Sequence, residues 1–452
     1  MPSRTDDRPN ILFFFTDQQR WDTCGCYNAA AAGMHVTPNL DALAAKGVRF
    51  ANAITCQPVC GPARACIQTG KFATETGCFK NNIALPLDER TIAHRLSEAG
   101  YEVGYIGKWH LASDPEHNYR TTAVPVERRG GYKDYWLASD VLEFTSHGYD
   151  GYLHDGDGRK VEFTGYRADC MTDFALEYLR TRTGDRPFFL FLSYIEPHHQ
   201  NDHNCYEGPR GSTERFGDFV PPADLAGADI PGDWRENYPD YLGCIHSLDA
   251  NLGRICDLLD ERGLADNTLV LYTSDHGSHF RTRNAEYKRS CHESSVHIPM
   301  VASGPGFAGG EVLDPLVSLI DVPSTILAAA GLAPPETMRG RSLQTLVEEP
   351  SAPWRDEVFI QISESQIGRA LRTKRWKYSV SVPSNEPWSG GKDPAAETYT
   401  EEYLYDLAAD PHELDNLVRD AALANVRAEL RERLLRRMVE AGETAPAILP
   451  AS

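Results

Sequence analysis

No stretch of this sequence is apolar for long enough to span a bilayer, and the early run Ile11 to Phe15 is too short for a signal-peptide core. A basic surplus is missing as well. Lys and Arg number 45 against 65 Asp and Glu, for a net charge of −20. A nucleic-acid binder needs a basic face to neutralise phosphates, so that class is excluded. An anionic substrate would need a locally positive pocket in a negative protein. The eleven cysteines show neither compact disulfide spacing nor the paired Cys-x-x-Cys of a zinc site. Reduced thiols, a cytoplasmic setting and no membrane partner are the expectation. Internal repeats and low-complexity tracts are absent, and oligomeric state is not readable.

At 452 residues, with 41% hydrophobic and 24% charged residues, the composition is that of a globular protein with one large domain and a smaller partner. Ile11 to Phe15 reads as a buried parallel strand that ends in Thr16-Asp17-Gln18. Strands are also expected at Tyr101 to Ile106, Phe188 to Ile195, Thr268 to Thr273 and Ile298 to Ala302. Helices are expected at Pro38 to Lys46, Thr91 to Ala99, Arg167 to Arg182, Tyr241 to Arg262 and Val322 to Ala330. The stretches 115–160 and 201–239 are rich in Gly, Pro and Asp and read as loops over the strand ends. The fold class is therefore α/β, a large central, mostly parallel sheet flanked by helices. Around Pro350 to Pro353 the character changes, and a division into 1–352 and 353–452 is expected. The second part reads as a small antiparallel sheet (Val358 to Ile362, Ala370 to Thr373, Trp376 to Val380) followed by a charged helix, Leu414 to Glu440.

Polar residues gather where these strands end, the edge at which open α/β sheets bind ligands. Asp17 follows the first strand, Lys108 and His110 the second, His198 the third, and Asp275 with His276 the fourth. In extended backbone Lys108 and His110 point to one side. The segment Cys60-Gly61-Pro62-Ala63-Arg64 adds a thiol and a fixed cation. Gly61 allows a close backbone approach, and Pro at a first helical position places Arg64 in the first turn of a helix. The helix dipole already makes that end positive, so an arginine there suits an anion. A lone cysteine is usually a small buried apolar residue. Here it stands among carboxylates, an amide oxygen and cations, a set that suits a hard cation beside a tetrahedral anion.

Cys-x-Pro-Ala-Arg leading to Thr69-Gly70 resembles the signature of the type I sulfatases of the alkaline phosphatase superfamily. The likeness extends through Gly107-Lys108-Trp109-His110, Pro197-His198, Asp275-His276-Gly277, Lys288 ahead of Gly304-Pro305-Gly306, and Leu404-Tyr405-Asp406-Leu407 with its Asp-Pro-x-Glu-x-x-Asn-Leu sequel. The resemblance implies an alkaline phosphatase-like fold and hydrolysis of a sulfate ester, with a carbohydrate sulfate as the expected substrate. It implies that Cys60 becomes formylglycine through a formylglycine-generating enzyme. Asp17, Gln18, Asp275 and His276 would hold a divalent metal together with the Cys60 product. Arg64, with the metal, would stabilise charge on the nucleophile and the sulfuryl oxygens. Lys108, Lys288 and His198 would grip the sulfate and its bridging oxygen, His198 would protonate the leaving alcohol, and His110 would take a proton from the second hydroxyl of the hydrated aldehyde.

Three positions depart from the common pattern: Gln18 where a second aspartate is frequent, His276 where asparagine is, and His297 where arginine is. Calcium is the expected ion, with manganese or zinc as alternatives. The role of His297 stays open. A phosphonate or phosphate ester hydrolase of the same superfamily is the rival activity, and an unmodified, inactive binder of sulfated glycans is the rival class. The substrate rim is assigned to His199, Asn201, Arg283 and His292, with Gln200, His203 and Arg281 as further loop residues.

Overall fold

The computed structural model describes residues 8–184, 186–383 and 391–451. Most of the polar N-terminal lead into the first strand lies outside the described residues. The first half of the chain supplies β1 (Asn10–Thr16), α1 (Pro38–Lys46), β2 (Val48–Ile54), α2 (Cys60–Thr69), α3 (Ile92–Glu98) and β3 (Glu102–Lys108). There follow β4 (Tyr135–Ser139), β5 (Asp150–Asp155), β6 (Lys160–Thr164), α4 (Arg167–Thr181), β7 (Phe188–Ser193) and α5 (Trp234–Glu261). The larger unit closes with β8 (Thr268–Ser274), β9 (Met300–Ser303), β10 (Glu311–Ser318) and α6 (Asp321–Ala329). These strands form one sheet in the order β10-β2-β9-β8-β1-β7-β3-β4-β5-β6.

Strands β8, β1, β7, β3 and β4 run parallel, with Phe13 of β1 level with Phe191 of β7 and Leu271 of β8. The pairings of β9 and of β5 are antiparallel, so the sheet is mixed outside its parallel centre. β1 is apolar from Ile11 to Phe15 because both faces are covered. Ile11, Phe13 and Phe15 pack with Ile67, Leu96 and Ile326 of α2, α3 and α6. Leu12 and Phe14 pack on the other face with Leu40, Leu179 and Leu252 of α1, α4 and α5. The carboxyl ends of four adjacent parallel strands therefore share one edge.

The stretch 115–160, expected as loop, instead contains β4 and β5 and runs into β6. Their short apolar segments are diluted by Gly and Asp, which hid the alternation. β2 and β10 were not expected either. β10 carries Pro315 at an edge, where its register against β2 shifts between Leu313 and Leu316, which is where a sheet tolerates proline. α5 begins at Trp234, seven residues before the expected start, and takes Pro239 into its second turn. Burial of Trp234 and Tyr238 among Phe216, Phe280 and Tyr287 offsets the hydrogen bond that proline forfeits.

The smaller sheet comprises β11 (Glu357–Ile362), β12 (Gly368–Thr373), β13 (Trp376–Ser381) and β14 (Thr398–Asp406), all antiparallel, with β15 (Ala447–Leu449) parallel to β14 at the edge. One face packs on α7 (Ala424–Glu440) through Leu430, Leu434 and Met438. This helix starts ten residues later than expected, because two short 3-10 turns occupy Leu417–Arg419 and Ala421–Leu423. The other face seats Val358, Ile360 and Ala370 on Ile54, Val296 and Leu316 of the larger unit. Among the described residues no helix is long and apolar enough to cross a membrane, and all eleven cysteines are free.

An ion-pair network is buried in the same seam. Lys377 of β13 is fully buried between Glu293 (2.7 Å) and Glu413 (2.6 Å). Removing one partner of a buried pair leaves the other charge uncompensated, a loss of about 3–5 kcal/mol. Lys377→Met is expected to lower the thermal unfolding midpoint, whereas removal of the exposed pair partner Lys374 by Lys374→Met is expected to leave it nearly unchanged. Equal midpoints for wild type and Lys377→Met would contradict this account.

Candidate active site

Each strand end at the shared edge delivers one group. Asp17 follows β1 and is buried at 0% exposure, with both carboxylate oxygens engaged. Its Oδ2 accepts from Arg64 Nη2 (3.0 Å) and Lys108 Nζ (2.7 Å). Its Oδ1 lies 3.4 Å from Cys60 Sγ and 3.7 Å from His276 Nε2. Burial and the Cys60 charge push the Asp17 carboxyl up, but Lys108, His198 and Arg64 outweigh them and hold it well below the usual carboxylate range.

Asp275 follows β8. Its Oδ1 accepts from the backbone N–H groups of Gln18 and His276, both at 2.9 Å. Its Oδ2 is buried and has no protein partner. Burial, then the Asp17 charge, pushes this carboxyl up to about 7. His276 Nδ1 lies 3.0 Å from the Gly277 carbonyl. A carbonyl only accepts, so Nδ1 carries the proton and Nε2 turns a lone pair towards Cys60 Sγ at 3.3 Å. Gln18 adopts φ 71, and its amide nitrogen donates to Tyr206 Oη at 2.7 Å, which leaves Oε1 on the cavity side.

Cys60 opens α2, two residues earlier than Pro62, the expected first position, so Arg64 sits in its second turn. Gly61 makes the close approach expected of it: its N–H donates to Asn81 Oδ1 at 2.9 Å, an atom that an added Cβ would meet at 2.9 Å. Arg64 also donates to the Lys108 carbonyl and to Ser193 Oγ, each at 2.7 Å. Lys288 Nζ lies 3.0 Å from Cys60 Sγ and 3.0 Å from His198 Nε2, so it links thiol and imidazole. Burial would raise the Cys60 thiol, but Lys108, Lys288 and His276 bring it well below its ordinary value. His198 is held below the ordinary imidazole value by burial and by Lys288 and Lys108.

Gln18, Cys60, Lys108, His198 and Lys288 line a cavity of about 500 Å³, whereas Asp17, Arg64, Asp275 and His276 are buried and do not reach its wall. Lys108 and His110 both line it, although the strand stops at Lys108 and His110 turns at φ 61. Asn201 lines it too. His199 does not; its ring lies against Tyr287, with centroids 4.2 Å apart, and Nδ1 meets Asn201 Oδ1 at 3.2 Å. Arg283 is turned towards the smaller unit and donates to the His412 and Glu413 carbonyls. His292 is buried against Tyr403 and Tyr405. His297 is occupied by Glu293, the Ala51 carbonyl and a stacked Trp21, which gives it a structural place. Of the further loop residues, Gln200 and Arg281 are held by Asp202 and Asn204. Ser193, Tyr206 and Asn81 were missed. Ser193 ends a strand and so carried a signal; Tyr206 and Asn81 lie in loops with none. Glu143, Phe144 and Arg120 also line the cavity.

A buried quartet of Asp17, Cys60, Asp275 and His276, with ligand atoms all within 4.8 Å of one another, thus lies beside three cations. That set at the carboxyl edge of an α/β sheet defines a hydrolase acting on an anionic ester. The chain belongs to the sulfatase family: the family model "Sulfatase" matches residues 9–332, and "N-sulphoglucosamine sulphohydrolase, C-terminal" matches 285–440. It is therefore a sulfuric ester hydrolase with an alkaline phosphatase-like fold. It is 29% identical to the uncharacterized sulfatase YidJ of Escherichia coli (strain K12), over 95% of this chain and 86% of that one. The N-acetylglucosamine-6-O-sulfatase of Bacteroides thetaiotaomicron is 25% identical, over 94% and 86%. The crystal structure of the putative sulfatase yidJ from Bacteroides fragilis superposes with a TM-score of 0.82 at 25% identity, over 98% of both chains.

In unconverted, metal-free protein the Cys60 thiol is expected to ionise well below an ordinary cysteine. Its ionisation, followed by thiolate absorbance against pH, is expected to move upward in Lys288→Met, because a cation 3.0 Å away is removed. An unchanged titration would mean that Lys288 does not act on the thiol.

Proposed function

We propose that this sulfatase hydrolyses a sulfate ester on a carbohydrate through formylglycine made from Cys60, with a divalent cation, calcium, held by Asp17, Gln18, Asp275 and His276. The buried Asp275 Oδ2, which has no protein partner, carries the metal assignment. A carboxylate costs several kcal/mol to bury unless a positive group meets it. Two carboxylates, one amide oxygen and one imidazole lone pair fit a hard cation that accepts a nitrogen donor. When bound, the cation supplies Lewis acidity, and the hydrated aldehyde supplies a hydroxyl nucleophile with a second hydroxyl for release of sulfate.

The chain's own residues do the rest. Lys108, Lys288 and Arg64 surround position 60 with positive charge, which stabilises charge on the sulfuryl oxygens. His198, joined to Lys288, stands where a proton can pass to the leaving alcohol. His110 lines the same cavity, where it would accept the proton of the second hydroxyl. Cys60 is only 1% exposed, so its conversion by a formylglycine-generating enzyme precedes closure of the site.

The carbohydrate assignment rests on the cavity wall, where Asn81, Asn82, Arg120, Glu143 and Asn201 offer hydrogen bonds to hydroxyls. Phe144, 55% exposed, offers a ring face. The N-acetylglucosamine-6-O-sulfatase among the relatives fits this reading. The division of the chain into units 1–352 and 353–452 is part of the same proposal.

Mass spectrometry of the peptide spanning Cys60 is expected to show the aldehyde in place of the thiol, and Cys60→Ala to abolish turnover. An intact thiol in fully active enzyme would overturn the nucleophile assignment. Sulfated mono- and disaccharides are expected to be turned over faster than alkyl sulfates, and aryl sulfate faster than a phenylphosphonate ester. A large preference for the phosphonate would favour a phosphonate ester hydrolase.

His198→Ala is expected to lower kcat by about 10²–10⁴ on sugar sulfates. On an aryl sulfate with an acidic leaving group, which needs no proton, the loss is expected to be far smaller. Equal losses on both substrates would remove His198 from the role of general acid.

A further inference from the structure

A second cluster of metal-ligating side chains lies at the mouth of the cavity. We infer that His147, Asp202 and His203 form a transition-metal site there, separate from the quartet around Asp17. His147 Nε2 lies 2.8 Å from Asp202 Oδ2, and His203 Nε2 lies 4.0 Å from the same oxygen. The two imidazoles are stacked face to face, with centroids 4.3 Å apart and planes 7° apart. One ligand atom from each of the three residues lies within 4.8 Å of the other two. Ligands of a tetrahedral zinc, each at about 2.0–2.1 Å, stand about 3.3 Å from one another. The two measured spacings bracket that figure; each imidazole lone pair lies in its own ring plane, so His203 has to tilt out of the stack, pivoting about its Glu207 contact, for both nitrogens to meet one ion.

On His203 and Asp202 the atoms that do not face the cluster are already engaged. His203 Nδ1 meets Glu207 Oε1 at 2.5 Å, which keeps Nε2 on the Asp202 side. Asp202 Oδ1 accepts from Gln200 Nε2 at 2.8 Å. Gln200 is itself buried, and its carbonyl oxygen faces Arg167 at 3.4 Å. Arg167 is paired with Glu196 at 2.7 Å. Ligating histidines and carboxylates are characteristically oriented by such outer partners.

Two imidazoles and one carboxylate suit zinc or cobalt and disfavour calcium, which takes oxygen ligands. His147 and Asp202 also line the catalytic cavity. An ion there would pin two segments 55 residues apart in the chain across the entrance. It would also replace local negative charge with positive on the path of an anionic substrate.

Holoenzyme in excess Ca²⁺ is titrated with Co²⁺ and, separately, with Zn²⁺ in equilibrium dialysis, alongside the double variant His147→Ala/His203→Ala. The wild type is expected to bind one more equivalent than the variant and to show visible Co²⁺ bands that the variant lacks. Asp202→Asn is expected to weaken the same binding. In unaltered enzyme, Zn²⁺ is expected to slow diethyl pyrocarbonate labelling of His203, read by peptide mass spectrometry, a result that does not depend on how any variant folds. Equal Co²⁺ uptake by wild type and a double variant of native circular dichroism would overturn the site. So would unhindered His203 labelling at saturating Zn²⁺. Neither measurement depends on the state of Cys60, so either assignment can fail without the other.

Discussion

The structure turns on how one buried carboxylate is satisfied. Asp17 stands at the end of the central strand, out of reach of water, where an uncompensated charge would cost several kcal/mol. Arg64 and Lys108 both donate to Oδ2, and that saturation turns Oδ1 towards Cys60 and His276. Because Arg64 comes from α2 and Lys108 from β3, a single carboxylate fixes the helix start and the strand end in one frame. The same bonds that neutralise the charge aim its remaining lone pairs.

Electrostatics then explains the crowding of opposite charges at this edge. Asp275 lies close enough to Asp17 that burial and the shared negative charge push it up to about 7. Two carboxylates in such a site repel unless something positive stands between them. Lysine and arginine serve the Asp17 side, whereas Asp275 Oδ2 has no protein partner. Local charge is thereby reversed within a protein of net charge −20, as capture of an anionic ester requires. Strand order makes this available: β8, β1, β7 and β3 are parallel neighbours, so groups far apart in the chain become adjacent without long loops.

How much of this was legible in the sequence depended on chain distance. Asp17, Lys108, His198 and Asp275 each follow an apolar run, and a buried strand followed by a polar residue is a local signal. Lys288 has no strand before it and was reached through family resemblance. Arg283 and His292 look in sequence no different from Lys288, yet their places are set by Glu413 and Tyr405, more than a hundred residues away. Local pattern cannot carry that information. For the same reason β2, β4 and β10 were missed: each is polar, short or interrupted by proline, and is a strand because of its neighbours rather than its own period.

That long-range dependence gives the smaller sheet a part in the active site. Glu364, between β11 and β12, holds φ 67 and accepts the backbone N–H of Asn81 at 2.6 Å. Asn81 in turn accepts the N–H of Gly61, beside Cys60 at the head of α2. The other oxygen of Glu364 pairs with Arg289, the neighbour of Lys288. One carboxylate on a turn of the smaller sheet therefore braces both the head of α2 beside Cys60 and the lysine that touches the Cys60 thiol. A non-glycine residue kept at positive φ is strained, and such strain persists where surrounding contacts demand it. The C-terminal family match begins at residue 285, just before Lys288. Lys288 and the sheet that steadies it thus fall within one matched segment, which is what a brace acting through Glu364 requires.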